Sequence, residues 1–356
     1  MPYAGTAKLS EITGLSHRVI DTAFADVQVC LDMRPDVRTP PKGFALADFH
    51  GFFTGAAELD VLFRRVRRVA RTDSSVLLRG ESGSGKELIA RAIHALSPRH
   101  GRPFRAINCA TLSPTLLESE LFGHRRGAFT GAVTDHQGLF AQSDTGTLFL
   151  DEVGEMPLDI QARLLRVLEE RTFVPVGGTK PVSVDVRVVS ASNRALRRAV
   201  AEGRFRDDLR YRIRVVPLFI PPLRQRSGDV ERLVWHFMRH FNERGTGRVE
   251  GITGRALDLL RAYPWPGNVR ELRNVIEYAF VVGEDPILDV DDLTPELRGE
   301  DPPDDAGPVL AAPVATAERD RIRRALDEHG GRRTAAARAL GVSRSTLWNK
   351  MQKFGL

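Results

Sequence analysis

Lys86 closes the run Gly80-Glu81-Ser82-Gly83-Ser84-Gly85-Lys86, which lies between an apolar "VLL" and a helical "ELIARAIHAL". Glycines at this spacing let successive backbone N–H groups turn inward on phosphates, and a lysine at a helix N-terminus neutralises the outer oxygens. The run fits the G-x-x-x-x-G-K part of a P-loop, and its strand–loop–helix setting is the one the mechanism requires. Glu87 stands where a magnesium-binding Ser or Thr is usual, so Mg²⁺ needs a ligand from elsewhere. "TLFLDE" offers one: an apolar strand ends in Asp151 and Glu152, so two carboxylates emerge at its carboxyl end. Asp151 would hold Mg²⁺ directly or through water, and Glu152 would polarise water for in-line attack on the terminal phosphorus. Without the P-loop, the same pair would read equally well as a solvated strand end.

Other polar residues fit the same chemistry. "FRDDLRYRI" carries Arg206 and Arg212 in a segment too polar for a core. They are either a solvated helix face or arginine fingers offered to a nucleotide on a neighbouring subunit. In "WPGNVREL", Asn268 and Glu271 have the spacing of a capping box, which places Arg270 in the first helical turn. A cation there opposes the helix dipole, so contact with a phosphate accounts for Arg270 where local stability does not; a plain surface arginine is the alternative. "SASNR" puts Ser192 and Asn193 at a strand end beside the same pocket. Asn108, in "INCA", either positions Glu152 or satisfies a turn.

The elements that must position these residues follow from the patterning. From Phe49 to about Val282, β-branched apolar runs alternate with helical patterns: "SVLLRG" then "KELIARAIHAL", "TLFLDE" then "QARLLRVLEE", "VDVRVVSAS" then "ALRRAVAEG". This predicts an α/β domain with a largely parallel sheet and a ligand site at the strands' carboxyl ends. Gly299 to Ala317 is rich in prolines and small residues, with four acids and no Lys or Arg, the composition of an extended linker. Beyond it, residues 318–356 hold ten Lys and Arg against four Asp and Glu, a balance of +6 that equals the formal charge of the whole 356-residue chain. The anion-binding potential is therefore concentrated at this end.

The remaining composition excludes several classes. Hydrophobic residues make up 42% and charged residues 28%, as in globular proteins. Cys30 and Cys109 are the only cysteines and lie far apart, which excludes a disulfide framework and a zinc site. No run approaches the roughly 20 apolar residues of a membrane span, and the N-terminus lacks a signal-peptide pattern. A cytoplasmic location is the expectation. Residues 1–48 carry no assignable function, and no receiver or ligand-sensing domain is recognisable ahead of Phe49, so control in trans or through expression level is expected.

Between "LFGHRR" and "VTDHQGL" lies "GAFTGA", residues Gly127, Ala128, Phe129, Thr130, Gly131 and Ala132, with no apolar periodicity on either side to bury the ring. With the P-loop, "GTLFLDE", "LLRVLEERTFVPVGG", "FRDDLRYRI" and "WPGNVREL" in this order, residues 53–282 resemble the AAA+ domain of the sigma-54-dependent transcriptional activators, the NtrC-type enhancer-binding proteins. Thr145 and Ser84 are small departures from the family pattern. The resemblance implies an AAA+ P-loop ATPase with a parallel-sheet core and helical lid, ATP and Mg²⁺ as cofactors, and a hexameric ring with ATP between subunits. It assigns Arg206 and Arg212 as trans-acting fingers, Asn193 as first sensor and Arg270 as second. It also makes residues 127–132 the tip of a mobile loop that engages sigma-54 in the closed complex with RNA polymerase, Phe129 and Thr130 making the contact. An exposed Phe129 with its burial partner on another protein is then expected.

"GGRRTAAARALGVSRSTLWNKMQKFGL" carries a helix-turn-helix pattern: an Ala-rich helix ending near Leu340, a turn at Gly341 and a second helix from Ser343. Leu347 and Met351 would face the core with Leu340 and Val342. Arg344, Ser345, Thr346, Asn349 and Lys350 would then face double-stranded DNA. The segment resembles the Fis-type DNA-binding domains. The expected organisation is 1–48 unassigned, 49–283 AAA+ with its lid from about 225, 284–317 linker, and 318–356 a small all-α helix-turn-helix domain. The rival readings are a nucleotide-binding DNA regulator that does not act on sigma-54, and an AAA+ remodeller of another kind; the intact "GAFTGA" and the Fis-like tail argue against them.

Overall fold

Apolar residues along the predicted strands alternate between two helical layers. The computed structural model describes residues 36–40, 46–245 and 248–300, and in the C-terminal segment 322, 323, 325, 326, 329, 333–340, 347 and 351. Strands β1 (Val76–Arg79), β2 (Phe104–Asn108), β3 (Thr147–Asp151), β4 (Arg187–Ser192) and β5 (Val216–Phe219) form one sheet in the order β5-β1-β4-β3-β2. Every pairing is parallel, with Leu77 opposite Ser190 and Asn108 opposite Asp151. Val76, Leu78, Phe149, Val189 and Leu218 point to a core shared with α1 (Leu59–Ala70) and α2 (Lys86–Ala95). Leu77, Leu148, Leu150 and Val188 point the other way, towards α3 (Pro114–Phe122), α4 (Leu139–Gln142), α5 (Leu158–Glu170), α6 (Leu196–Ala201) and α7 (Asp207–Ile213). A sheet covered on both faces is why its inner strands read as unbroken apolar runs.

β2 and β5 are the two edge strands. β2 has no fully buried residue, and β5 contains Pro217, which cannot donate to a ladder and is tolerated at a sheet edge. β4 is buried throughout. Its first residue, Arg187, donates to the carbonyls of Ala70 (2.9 Å) and Val69 (2.8 Å) and so caps the C-terminus of α1.

A helical bundle follows the sheet: α8 (Asp229–Glu243), α9 (Gly254–Ala262) and α10 (Asn268–Val282), packed around Val234, Leu260, the fully buried Trp265 and Leu272. Residues 284–300, expected as part of the linker, fold onto this bundle instead. Ile287–Leu288 pairs parallel with Gly251–Thr253, and Leu288, Leu293 and Leu297 enter the core. The acidic, proline-bearing stretch after them hid these three leucines. Val37–Arg38, from the segment left unassigned, pairs antiparallel with the other side of Gly251–Thr253.

Residues 301–356 form a second unit. Within it, α11 (Arg333–Ala339) ends at the predicted point, and Ile322, Ala325, Ala336, Leu347 and Met351 cluster. Arg344, Ser345, Thr346, Asn349 and Lys350, expected at DNA, lie outside the described residues, as does Val342.

Candidate active site

At the carboxyl end of β1 the chain turns through Gly83 (φ +72°) and Gly85 (φ +101°) into α2, a path that needs left-handed backbone. A Cβ at Gly83 would strike the Gly267 carbonyl, and one at Gly85 the Phe52 ring. Lys86 is buried, and its Nζ donates to the carbonyls of Gly80 (3.2 Å) and Glu81 (3.4 Å) and to Glu152 Oε1 (2.9 Å). Glu152 follows β3 in a left-handed conformation (φ +51°), and its Oε2 accepts from the backbone N–H of Asn193 at 3.0 Å. The strained turn thus aims the second carboxylate across the floor of the site, between the P-loop and β4.

Asp151 is half-buried, and its Oδ1 accepts from Glu152 N at 3.0 Å. Burial raises its pKa above the usual 3.8, against the attraction of Lys86 and with the repulsion of Glu152. A desolvated carboxylate beside a second one is a donor set suited to a hard divalent cation, and the P-loop glycines leave a cradle open above it. The residues present therefore fit Mg²⁺ and a polyphosphate. Neighbouring Cys109 is pushed up to about 12 by burial and by the two acids, so it remains a thiol.

These groups line a cavity of about 1120 Å³ between sheet and lid. Of the residues expected at the site, Ser82, Gly83, Ser84, Gly85, Lys86, Glu87, Asn108, Asp151, Glu152, Asn193 and Arg270 line it; Gly80 and Glu81 do not, and their carbonyls accept from Lys86. Arg270 reaches Ser82 Oγ at 3.4 Å. Three contacts define these residues further. Asn108 does not touch Glu152; its Oδ1 accepts from Ala110 N at 2.9 Å, the turn-satisfying alternative. Asn193 meets Glu152 through its main chain. Asn268 does not form a capping box with Glu271: Glu271 accepts from Gly267 N, but the Asn268 side chain turns away to the P-loop.

Arg206 and Arg212 do not line this cavity. Arg206 pairs with Asp208 at 2.7 Å, Arg212 donates to the Leu168 carbonyl at 2.8 Å, and both are exposed. Phe129 is half-buried, not free: its ring meets His124 edge-on at 4.9 Å. The loop is pinned at its base by paired backbone bonds between His124 and His136, while Gly127 (φ +79°) and Gly131 (φ +105°) shape its tip.

Sequence reading missed several cavity residues. Phe52 and Phe53 enter from a hairpin whose turn, His50 and Gly51, has two positive φ angles. Leu233, His236, Phe237 and His240 line it from α8 at helical spacing, and His236 packs on Phe53 at 4.1 Å. Arg226 is buried, donates to the Ser84 and Pro221 carbonyls and lies 4.9 Å from the Phe52 ring; burial lowers its pKa to about 10, which keeps it charged. Asp229 accepts from Thr54 Oγ1 (2.6 Å) and Gly55 N (2.7 Å) and fixes the hairpin against the lid.

The chain matches the "Sigma-54 interaction domain" over residues 52–219, the "AAA+ ATPase lid domain" over 224–308 and the "Bacterial regulatory protein, Fis family" over 313–354. It is 43% identical over 325 residues to the transcriptional regulatory protein ZraR of Klebsiella oxytoca, covering 91% of this chain and 72% of that protein. The chain belongs to the sigma-54-dependent transcriptional regulators. Within this family it is also 48% identical over 298 residues to the regulatory protein AtoC of Escherichia coli, covering 81% of this chain and 64% of AtoC. It thus spans about two thirds of that relative's length. Crystal structures of NtrX from Brucella abortus in complex with ADP and with ATP superpose with TM-scores of 0.66 and 0.64, each at 33% identity, covering 95% of this chain and 74% of NtrX. The sigma-54 regulator fold is therefore an AAA+ domain with parallel-sheet core and helical lid, followed by a helix-turn-helix domain. Among the described residues no helix is long and apolar enough to cross a membrane.

Proposed function

We propose that this chain hydrolyses ATP in a hexameric ring and uses that energy, through the loop bearing Phe129 and Thr130, to remodel the closed complex of sigma-54 RNA polymerase, while its C-terminal helices hold it on upstream DNA. The observation that carries this reading is the Lys86–Glu152 pair on the floor of a glycine-lined cavity. The pair joins the group that would neutralise the phosphates to the group that would polarise water, each close to the other's place of work.

Mg²⁺, held by Asp151, would supply charge neutralisation on the phosphates. Lys86 transfers from the Glu152 carboxylate to the β- and γ-oxygens, which frees Glu152 to accept a proton from water while Asn193 N–H still fixes its other oxygen. Arg270 takes the γ-phosphate from the lid side. Exposed and outside their own cavity, Arg206 and Arg212 exchange Asp208 and the Leu168 carbonyl for the site of an adjacent subunit and spread transition-state charge there. Phe129 leaves His124 for sigma-54 when the loop rises, a modest exchange for a half-buried ring.

The test is open-complex formation on a sigma-54 promoter in ATP with the purified chain. Thr130→Ala should abolish open complexes while phosphate release continues; open complexes that persist in Thr130→Ala would overturn the loop assignment.

A further inference from the structure

One buried side chain ties the phosphate loop to the lid. Asn268 opens α10, is fully buried and does not line the cavity. Its φ of +54° is one that asparagine, aspartate and glycine tolerate and most other residues resist. Its Nδ2 donates to the Ser82 carbonyl (3.0 Å), to Glu81 Oε2 (3.2 Å) and to the Pro266 carbonyl (3.3 Å), and its Oδ1 accepts from Leu223 N at 2.7 Å. Glu81 is in turn gripped by both terminal nitrogens of Arg224, at 2.6 and 2.8 Å. The Gly83 carbonyl accepts from Val269 N at 3.2 Å, and Arg270 reaches Ser82 Oγ. The outer half of the phosphate loop, the strand-to-lid connection and the first turn of α10 are therefore one polar knot with Asn268 at its centre. Glycine would satisfy the backbone alone, so the side chain must be what the position requires.

We infer that Asn268 is a positioning residue that couples occupancy of the phosphate loop to the attitude of the lid. Displacement of Glu81 and Ser82 by incoming phosphates is transmitted through its amide to α10, and so to Arg270. The inference rests on the cavity being the ATP site.

It is tested on the full chain with Cys30→Ser, Val61→Cys and Val281→Cys, spin-labelled on α1 and α10 and diluted with unlabelled chain. Val61 and Val281 are 45% and 75% exposed, whereas Cys109 is buried and stays unlabelled. Interspin distances are measured with and without AMP-PNP and Mg²⁺, alongside AMP-PNP affinity and ATP turnover. The unsubstituted lid should shift on binding AMP-PNP. Asn268→Gly, which keeps the backbone angle, should lose most of that shift and lower kcat about tenfold while AMP-PNP affinity changes less than about tenfold, a split below 1.4 kcal/mol in binding. Asn268→Asp cannot donate and faces Glu81 as a like charge; adding Glu81→Gln restores a donor from the opposite side and should recover the shift in part. The proposal is overturned if Asn268→Gly shifts like the unsubstituted chain, or if Asn268→Asp and its Glu81→Gln double variant behave alike. The second comparison decides if the glycine variant does not fold. Failure of the unsubstituted chain to bind AMP-PNP would overturn the nucleotide reading and this inference with it; normal binding with an unaltered shift in Asn268→Gly overturns this inference alone.

Discussion

Single side chains carry the chemistry, and they can be separated experimentally. Glu152→Gln keeps the side chain's size and one of its two accepting oxygens beside Lys86 and Asn193 but cannot take a proton, so ATP turnover should fall about 10²–10⁴-fold with nucleotide affinity changed far less, as measured by phosphate release and equilibrium binding. His94 gives a pH dependence of known sign. Burial holds its pKa below the usual 6.5, and it pairs with Thr147 Oγ1 at 3.0 Å. A base whose folded pKa is depressed contributes its full stability above pH 6.5 and loses it as pH falls through the folded value. The melting temperature should therefore fall below pH 6.5, and His94→Gln should flatten that decline. Much at this scale was legible in the sequence: Lys86 announces itself by its glycine run before a helix, and Asp151 and Glu152, ambiguous as a strand end alone, become legible once the P-loop stands beside them. Arg226, Asp229 and Asn268 were illegible as site residues because their partners, Ser84, Thr54 and Glu81, lie more than a hundred residues away along the chain.

At the scale of elements, position depends on how helices end as much as on what they bury. The last carbonyls of α1 are answered by Arg187 from the start of β4, with Thr72 Oγ1 also donating to the Val69 carbonyl at 3.0 Å. Arg187→Met should cost about 2 kcal/mol in urea unfolding, since the buried Ala70 carbonyl loses its donor while Val69 keeps Thr72, and should leave nucleotide binding little changed. The inner strands were readable from their apolar runs; β2 was not, because none of its residues is fully buried, and in β5 Pro217 interrupts an otherwise apolar run. The loop around Phe129 shows the opposite limit: its composition correctly signals an exposed turn, yet the contact with His124 depends on a backbone pairing that "GAFTGA" itself does not encode.

For the whole molecule, charge is divided along the chain. The excess of basic residues lies in 318–356, after a stretch without any. If that unit holds DNA, Lys350→Ala should weaken binding uniformly across sequences and reduce the slope of log affinity against log salt by about one. Arg344→Ala should instead relax base preference at one position of the site. Titrations of labelled duplexes at several salt concentrations distinguish the two outcomes.

The placement of the three tryptophans has a practical consequence. Trp235 and Trp265 are packed inside the bundle that follows the sheet, Trp348 belongs to the tail, and the nucleotide-facing α/β layer contains none. Ultraviolet emission from the chain is therefore blind to the sheet and watches the bundle with two built-in lamps. Denaturation followed by emission and by circular dichroism should diverge wherever the two layers come apart at different temperatures.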